Sequence, residues 1–66
     1  MNRLSANIAF FQKLYNVKQD ELVAAVGCDR KTFKRRRDLD TFTVRDLIII
    51  ARELHTSVEK LCEGVK

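Results

Sequence analysis

The chain contains no proline and only two glycines among its 66 residues. These residues are the strongest breakers of regular structure, and disordered segments are usually rich in one or both. Their scarcity favours helices throughout the chain and argues against a long flexible linker. The length suits one small domain, close to the size at which a single hydrophobic core is just sufficient.

Long apolar runs are also missing. No stretch approaches the roughly 20 residues that a membrane span needs, and the N-terminus lacks the basic, apolar and small-residue order of a signal peptide. The two cysteines, Cys28 and Cys62, give no disulfide framework, and neither has a nearby partner at metal-ligand spacing. We therefore expect reduced thiols in a cytoplasmic protein, with no metal, no cofactor and no membrane contact.

Groups suited to catalysis are equally scarce. The chain has a single histidine, His55, and neither a glycine-rich phosphate loop nor paired carboxylates expected to face inward. A domain of this size also has no room for a deep cleft. We expect no enzymatic activity and no small-molecule ligand, and we interpret His55 as an exposed residue at a helix C-terminus.

Positive charge is present in excess, and it is concentrated in one segment. The formal net charge is +4, and six of the 13 basic residues lie between Arg30 and Arg37. The seven basic residues outside this segment are outnumbered by nine acidic ones. A focal basic patch usually faces a negatively charged partner, although such a run can also be a solvated face or a localisation signal.

Apolar residues recur at three- and four-residue steps, which is the spacing of a helix face. A first helix is predicted over residues 3–15, with Asn2 as its N-cap. Its core residues are Leu4, Ile8, Phe11 and Tyr15. A second helix is predicted over residues 19–26, with Gly27 as its stop signal. Its apolar face comprises Leu22, Val23 and Val26.

Asp29 is the predicted N-cap of a third helix, which runs from residue 30 to about residue 37 and has only Phe33 to bury. Residues 38–43 are predicted to be a loop. Thr43 then caps a fourth helix in a capping-box arrangement with Asp46. Its core side comprises Val44, Leu47, Ile50, Ala51 and Leu54. A last short helix follows Ser57 and buries Val58 and Leu61. The sequence thus predicts an all-α fold, a compact bundle of five short helices in a single domain over residues 1–66.

The second and third helices are joined by only three residues, Gly27, Cys28 and Asp29. A glycine turn between an apolar helix and a helix with little core of its own is typical of the helix-turn-helix motif. The major groove of B-DNA, about 12 Å wide, admits one α-helix, which then needs an exposed face of hydrogen-bond donors. The third helix supplies such donors in Arg30, Lys31, Thr32, Lys34 and Arg35.

The segments KQDELVAAVGCDRKTFKRR and TFTVRDLIIIARELHTSVEKL together resemble the lambda-repressor-like, Cro-type (XRE) family of helix-turn-helix regulators. The resemblance extends over about residues 8–61. Gln19 precedes Leu22 by three residues, Gly27 lies in the turn, and Thr32–Phe33 matches the polar–apolar step of the recognition helix. It implies a transcriptional regulator that binds specific double-stranded DNA sequences, of the kind found as small repressors in phages and mobile elements.

The resemblance also implies contacts with the bases. Arg30, Lys31 and Arg35 match positions that reach base edges, and Thr32 and Lys34 lie beside them. Arginine recognises guanine through two hydrogen bonds to its O6 and N7 atoms. A half-site that contains guanine is therefore expected.

Phosphate contacts are implied for Gln19, at the start of the second helix, and for Arg45, in the first turn of the fourth. Gln19 is also expected to buttress the first residue of the recognition helix. At the end of that helix we expect Arg36 and Arg37 near phosphates, with Arg37 facing either solvent or the DNA.

The chain departs from the family at several positions. The family often pairs an arginine in its first helix with a glutamate that closes its third, but Gln12 and Arg37 stand there instead. Arg36 replaces a large apolar residue and leaves a gap for either Leu39 or Phe42 to fill. A lysine also replaces the usual hydroxyl cap before the second helix, which weakens that helix start. Cys28 is interpreted as a small core residue.

Phe10, Leu14 and Ile49 fall outside the predicted core faces. They are either extra core in a small domain or a dimer surface. The family commonly binds DNA as two-fold dimers on half-sites about 34 Å apart, and a monomer this small offers few contacts. A homodimer, at least on DNA, is therefore expected. The alternative function is a protein-interaction module on the same fold, an antitoxin- or antirepressor-type partner that binds another protein at this surface.

Overall fold

A computed structural model describes residues 3–64 of the chain, and these residues form five α-helices without any strand. The helices are α1 (Arg3–Tyr15), α2 (Gln19–Val26), α3 (Arg30–Leu39), α4 (Val44–Glu53) and α5 (Val58–Leu61). The predicted all-α class is therefore confirmed, as are the predicted bounds of α1 and α2. The predicted cap Asn2 lies outside the described residues.

The N-termini of α3 and α4 are capped as the sequence predicts. The Asp29 carboxylate accepts a hydrogen bond from the Thr32 amide at 2.6 Å and so caps α3. At α4, the Thr43 hydroxyl accepts from the Asp46 amide at 3.1 Å, while the Asp46 carboxylate accepts from the Thr43 amide at 3.2 Å. Ser57 caps α5 in the same way. These bonds satisfy amides that a helix leaves without intrahelical partners.

The start of α2 is capped from within the helix. The Lys18 side chain forms no capping hydrogen bond, as expected for a residue that has only donors to offer. The Glu21 carboxylate instead accepts from the Lys18 amide at 2.7 Å. Half of a capping box therefore remains where the hydroxyl is missing.

The core lies where the helices meet, with α2 and α5 packed on α4, and α1 packed on α3 and α5. Its buried apolar residues are Leu4, Ile8, Leu22, Phe33, Ile50, Ala51, Leu54 and Leu61. The α3 helix contributes only Phe33, whose ring lies 5.3 Å from that of Phe42. Phe42 therefore fills the gap left by the arginine at position 36, whereas Leu39 is exposed.

A polar contact that the sequence did not suggest ties α1 to the end of α5. The Asn7 amide nitrogen donates to the backbone carbonyls of Leu61, at 2.8 Å, and Glu63, at 2.9 Å. Leu61 closes α5 and Glu63 follows it, and carbonyls at a helix C-terminus have no N–H donors within the helix. The radius of gyration is 10.4 Å, close to the roughly 11 Å expected for a compact domain of this length.

Two predicted core residues lie at the surface instead. Val44, the first residue of α4, is exposed. Tyr15, at the end of α1, is also largely exposed and packs its ring against that of His55, with 5.4 Å between centroids. Both residues occupy helix termini, where the helical spacing continues but no neighbouring element covers the position.

Three helices end on residues with a left-handed backbone that are not glycine. Asn16, Asp40 and His55 have φ values of 54°, 55° and 55°. The next amide in each case bonds back across the helix end, which is the geometry of the Schellman motif. These bonds, each 2.9 Å long, run from Val17 to Gln12, from Thr41 to Arg36 and from Thr56 to Ala51.

The end of α3 was predicted wrongly because its stop signal is an aspartate. The helix continues to Leu39, so Asp38 and Leu39 are helical and the loop comprises residues 40–43. Asp40 takes the position that glycine usually holds, where an L residue is less favourable.

Replacing Asp40 with glycine should stabilise the protein. Glycine removes the cost of the left-handed backbone and also a negative charge at a helix C-terminus. After allowing for the greater freedom of glycine in the unfolded chain, we expect a gain of about 0.5–1 kcal/mol, measured by urea unfolding. Asp40→Asn removes only the charge and should give a smaller gain. A glycine variant no more stable than the asparagine variant would contradict the backbone explanation.

Candidate nucleic-acid interface

The α2 and α3 helices contact each other and are joined by the short turn of Gly27, Cys28 and Asp29. Gly27 has a left-handed backbone, with φ 83°, and its amide donates to the Val23 carbonyl. Cys28 is partly buried against the core, as predicted. The turn therefore directs the chain from α2 into α3. It ends at Asp29, whose carboxylate caps the start of α3.

The burial of Phe33 determines which side of α3 faces outward. This side chain is 0% exposed, whereas Lys31, Lys34 and Arg35 are exposed. The three basic residues follow the three- and four-residue spacing of a common helix surface. None of them forms a hydrogen bond or an ion pair with any residue in the described part of the chain. They therefore form a basic surface whose donors are unoccupied.

Two other residues predicted to contact bases have partners within the protein. Arg30 is exposed, but its Nη2 atom lies 2.8 Å from Oδ1 of Asp20 on α2. Thr32 is partly buried, and its amide donates to the Asp29 carboxylate at 2.6 Å. Thr32 thus belongs to the N-cap of α3, while Arg30 lies at the edge of the basic surface.

The cap also lowers the pKa of Asp29 below its ordinary value of 3.8. The main cause is the hydrogen bond from the Thr32 amide, followed by that from the Thr32 hydroxyl, and nearby Arg35 and Arg36 act in the same direction. A lowered folded-state pKa means that the ionised carboxylate stabilises the folded state. This contribution is present above the unfolded pKa and is lost as the pH falls through the folded one.

Arg37 is partly buried against α2 and does not face solvent, which corrects one of its two predicted alternatives, whereas its contact with a phosphate stays a prediction. Its side chain is 20% exposed, and its guanidinium lies 3.3 Å from Oε1 of Gln19 and 3.4 Å from Oδ1 of Asp38. The reason is helical geometry, because Arg37 follows Phe33 by four residues and so shares the side of α3 that packs on the body. Gln19 accordingly contacts the end of α3 and not its first residue, which Asp20 contacts instead.

Arg36 connects the end of α3 to the start of α4. Its Nη1 atom lies 3.4 Å from Oδ2 of Asp46, whose side chain is only 11% exposed and also takes part in the Thr43 cap. Arg45, the other arginine near this corner, is exposed and has no hydrogen bond or ion pair within residues 3–64. Arg36 is therefore engaged in holding the two helices together, whereas the donors of Arg45 are unoccupied.

The apolar residues outside the core separate into two groups. Phe10 and Leu14, one turn apart on α1, are 61% and 57% exposed, so the interpretation as extra core is wrong for them. Ile49 is partly buried, and its neighbour Ile48 is exposed instead. Phe10 also borders a shallow cleft of about 200 Å³. The cleft is lined by Arg3, Asn7, Phe10, Phe11, Lys60 and Glu63.

The described residues offer little for a metal site or a membrane span. Within residues 3–64, no cluster of three or more His, Cys, Asp or Glu side chains could hold a metal ion, and no helix is long and apolar enough to cross a membrane. Burial raises the pKa of the Cys62 thiol, and the Asp40 carboxylate adds to this effect.

No protein-family model, curated protein or solved structure matches the chain. The basic surface of α3 is therefore the strongest candidate for a functional site.

The Asp29 cap can be tested by its dependence on pH. At neutral pH, Asp29→Asn should lower the melting temperature because it removes the charge, and Asp29→Ala should lower it further because it also removes the acceptor. The difference between the wild type and Asp29→Asn should close as the pH falls below 3.8, measured by circular dichroism melts. A difference that stays constant over that range would contradict the assignment.

The two arginines near the α3–α4 corner should differ in their effect on stability. Arg36→Ala leaves the largely buried Asp46 without its cation and should cost about 1 kcal/mol, the upper range for a partly exposed ion pair. Arg45→Ala makes the same change in net charge and should leave the free energy of unfolding nearly unchanged. Urea unfolding of both variants measures this difference, and equal losses would show that Arg36 has no special structural role.

Proposed function

We propose that this protein is a transcriptional regulator that binds specific sequences of double-stranded DNA by inserting α3 into the major groove. The observation that carries the proposal is the sidedness of α3. Phe33 anchors one side in the core, while the other side presents three basic side chains with unoccupied donors. The resemblance to Cro-type helix-turn-helix regulators supports the same conclusion.

The dimensions of α3 suit a groove. Its ten residues span about 15 Å, and the major groove is about 12 Å wide and 8.5 Å deep. Lysine and arginine side chains are long enough to reach base edges from a helix lying there. We assign direct contacts with bases to Lys31, Lys34 and Arg35, with Arg30 at the edge of the same surface.

Phosphate contacts are assigned to residues at the starts of two other helices. Gln19 opens α2, and its amide nitrogen remains available to donate because only its oxygen is bonded to Arg37. Arg45 lies in the first turn of α4 with its donors unoccupied. Helix N-termini attract phosphate, which strengthens both contacts. Arg36 and Arg37 hold α3 in place through their contacts with Asp46 and Gln19, and their contact with phosphates stays a prediction.

The regulator is proposed to bind as a homodimer on two half-sites. A single domain of this size buries little surface on DNA, and two copies about one helical turn apart double the contacts. Phe10 and Leu14 form an exposed apolar pair on α1 that a second copy could cover. Such a dimer represses by occupying an operator and excluding polymerase, as small regulators of phages and mobile elements do.

The second candidate function is a protein-interaction module of the antitoxin or antirepressor type. The exposure of Phe10 and Leu14 favours it, because large apolar side chains grouped at the surface often mark a protein-binding site. In that case a different protein covers the pair, and binding to DNA is secondary or absent.

Selection of bound sequences from a random duplex pool at about 150 mM salt tests the leading proposal. The wild type should enrich a paired motif that contains guanine. Arg35→Ala should relax the preference at one position of each half-site, because it removes a base contact. Arg45→Ala removes the same charge from a phosphate contact, so it should weaken all sequences alike and reduce the salt slope by about 1.

Two results would contradict the proposal. Enrichment without any motif, weakened equally by both substitutions, would mean that the basic surface only grips phosphate. The absence of binding to any duplex would favour the interaction module instead.

A further inference from the structure

An exposed ion pair joins the first turn of α2 to the first residue of α3. The Nη2 atom of Arg30 lies 2.8 Å from Oδ1 of Asp20, and each side chain is 70% exposed. Exposed pairs of this kind contribute little to stability, because water screens the attraction and two flexible side chains must be ordered. Stabilisation of the fold is therefore a poor explanation for the ion pair between Arg30 and Asp20.

Arg30 differs in this respect from the other basic residues of α3. The ion pair of Arg36 with Asp46 and the hydrogen bond of Arg37 to Gln19 are partly buried between helices. The exposed Lys31 and Lys34 have no paired group in the described part of the chain. Arg30 is both exposed and paired. It lies at the edge of the basic surface, and a carboxylate from a neighbouring helix holds its guanidinium.

We propose that Asp20 is a positioning residue that determines specificity by holding the Arg30 guanidinium in the orientation that recognises a base. This inference rests on the proposed function, in which α3 enters the major groove. A free arginine side chain loses much rotational freedom when it binds, and a partner that restrains it beforehand reduces this loss. The guanidinium has five N–H donors, so one bond to Asp20 leaves enough for O6 and N7 of a guanine.

The negative charge of Asp20 adds a second effect. Binding to random sequences depends on attraction between basic side chains and phosphates. A carboxylate 2.8 Å from Arg30 offsets its charge and repels nearby phosphates, so it weakens this attraction. Directional hydrogen bonds to a guanine remain possible. Asp20 therefore widens the difference between specific and random sites, and specificity is such a difference.

The test compares Asp20→Asn with a matched control, Asp38→Asn. Both remove one negative charge, and Asp38 lies on α3 itself, but its ion pair is with Arg37 instead of Arg30. Binding of each variant is measured to the selected site, to sites with single base changes and to a random duplex. The base pair recognised by Arg30 is the one at which Arg30→Ala relaxes the preference.

We expect Asp20→Asn to bind the random duplex more tightly and to lose about fivefold or more in discrimination at the Arg30 base pair, which is the lower range for one arginine–guanine contact. Asp38→Asn should tighten random binding without a loss confined to that base pair. Asp20→Glu, which keeps the carboxylate, should retain most of the discrimination. In an Arg30→Ala background, Asp20→Asn should cause no further loss at this position.

The inference and the proposed function fail in different ways. If the wild type selects a motif and Asp20→Asn discriminates as well as Asp38→Asn does, Asp20 has no positioning role and the proposed function stands. A further loss caused by Asp20→Asn in the Arg30→Ala background would show that Asp20 acts through another residue. If the wild type selects no motif at all, both the proposed function and this inference are wrong.

Discussion

The arrangement of α3 depends on the burial of one aromatic ring. Six of its ten residues are basic, and Phe33 is the residue through which it enters the core. Because a helix repeats every 3.6 residues, fixing Phe33 against the body also fixes the direction of every other side chain. Arg37, one turn later, then lies against α2, while Lys31 and Arg35 lie on the opposite side. A single hydrophobic contact thus separates the basic residues that support the helix from those that are available to a ligand.

A helix with this much positive charge also needs anions nearby, and neighbouring elements supply them. Asp20 on α2 pairs with Arg30, and Asp46 on α4 pairs with Arg36. Asp38, on α3 itself, pairs with Arg37. The pair of Arg36 with the buried Asp46 therefore has a structural use, because it offsets repulsion between like charges at the end of α3, whereas the exposed Asp20–Arg30 pair adds little to stability. The pairs are at the two ends of α3, and the unpaired basic residues lie between them.

The sequence predicted the parts of the fold that follow local rules. Asp29 and Thr43 have side chains that suit an N-cap position, and the spacing of the apolar residues predicted where the helices lie. The end of α3 was missed because Asp40 adopts a backbone conformation that glycine usually signals. The exposure of Lys31 and Arg35 was also predictable, since Phe33 defines the buried side. The spacing from Phe33 places Arg37 on the buried side, but the partners of Arg30, Arg36 and Arg37 were not predictable, because they depend on how α2 and α4 pack against α3.

Under the proposed function, these contacts change how the basic segment acts on DNA. Six free cations on one helix would favour any phosphate backbone, and the affinity for random sequence would then rise with that for a specific site. With three arginines engaged by carboxylates, fewer positive charges remain to attract phosphate without regard to sequence. The remaining donors lie on one face, where contact with base edges requires the helix to enter the groove. If α3 enters the groove as proposed, the acidic residues paired with its arginines therefore favour recognition of a sequence over simple attraction to charge.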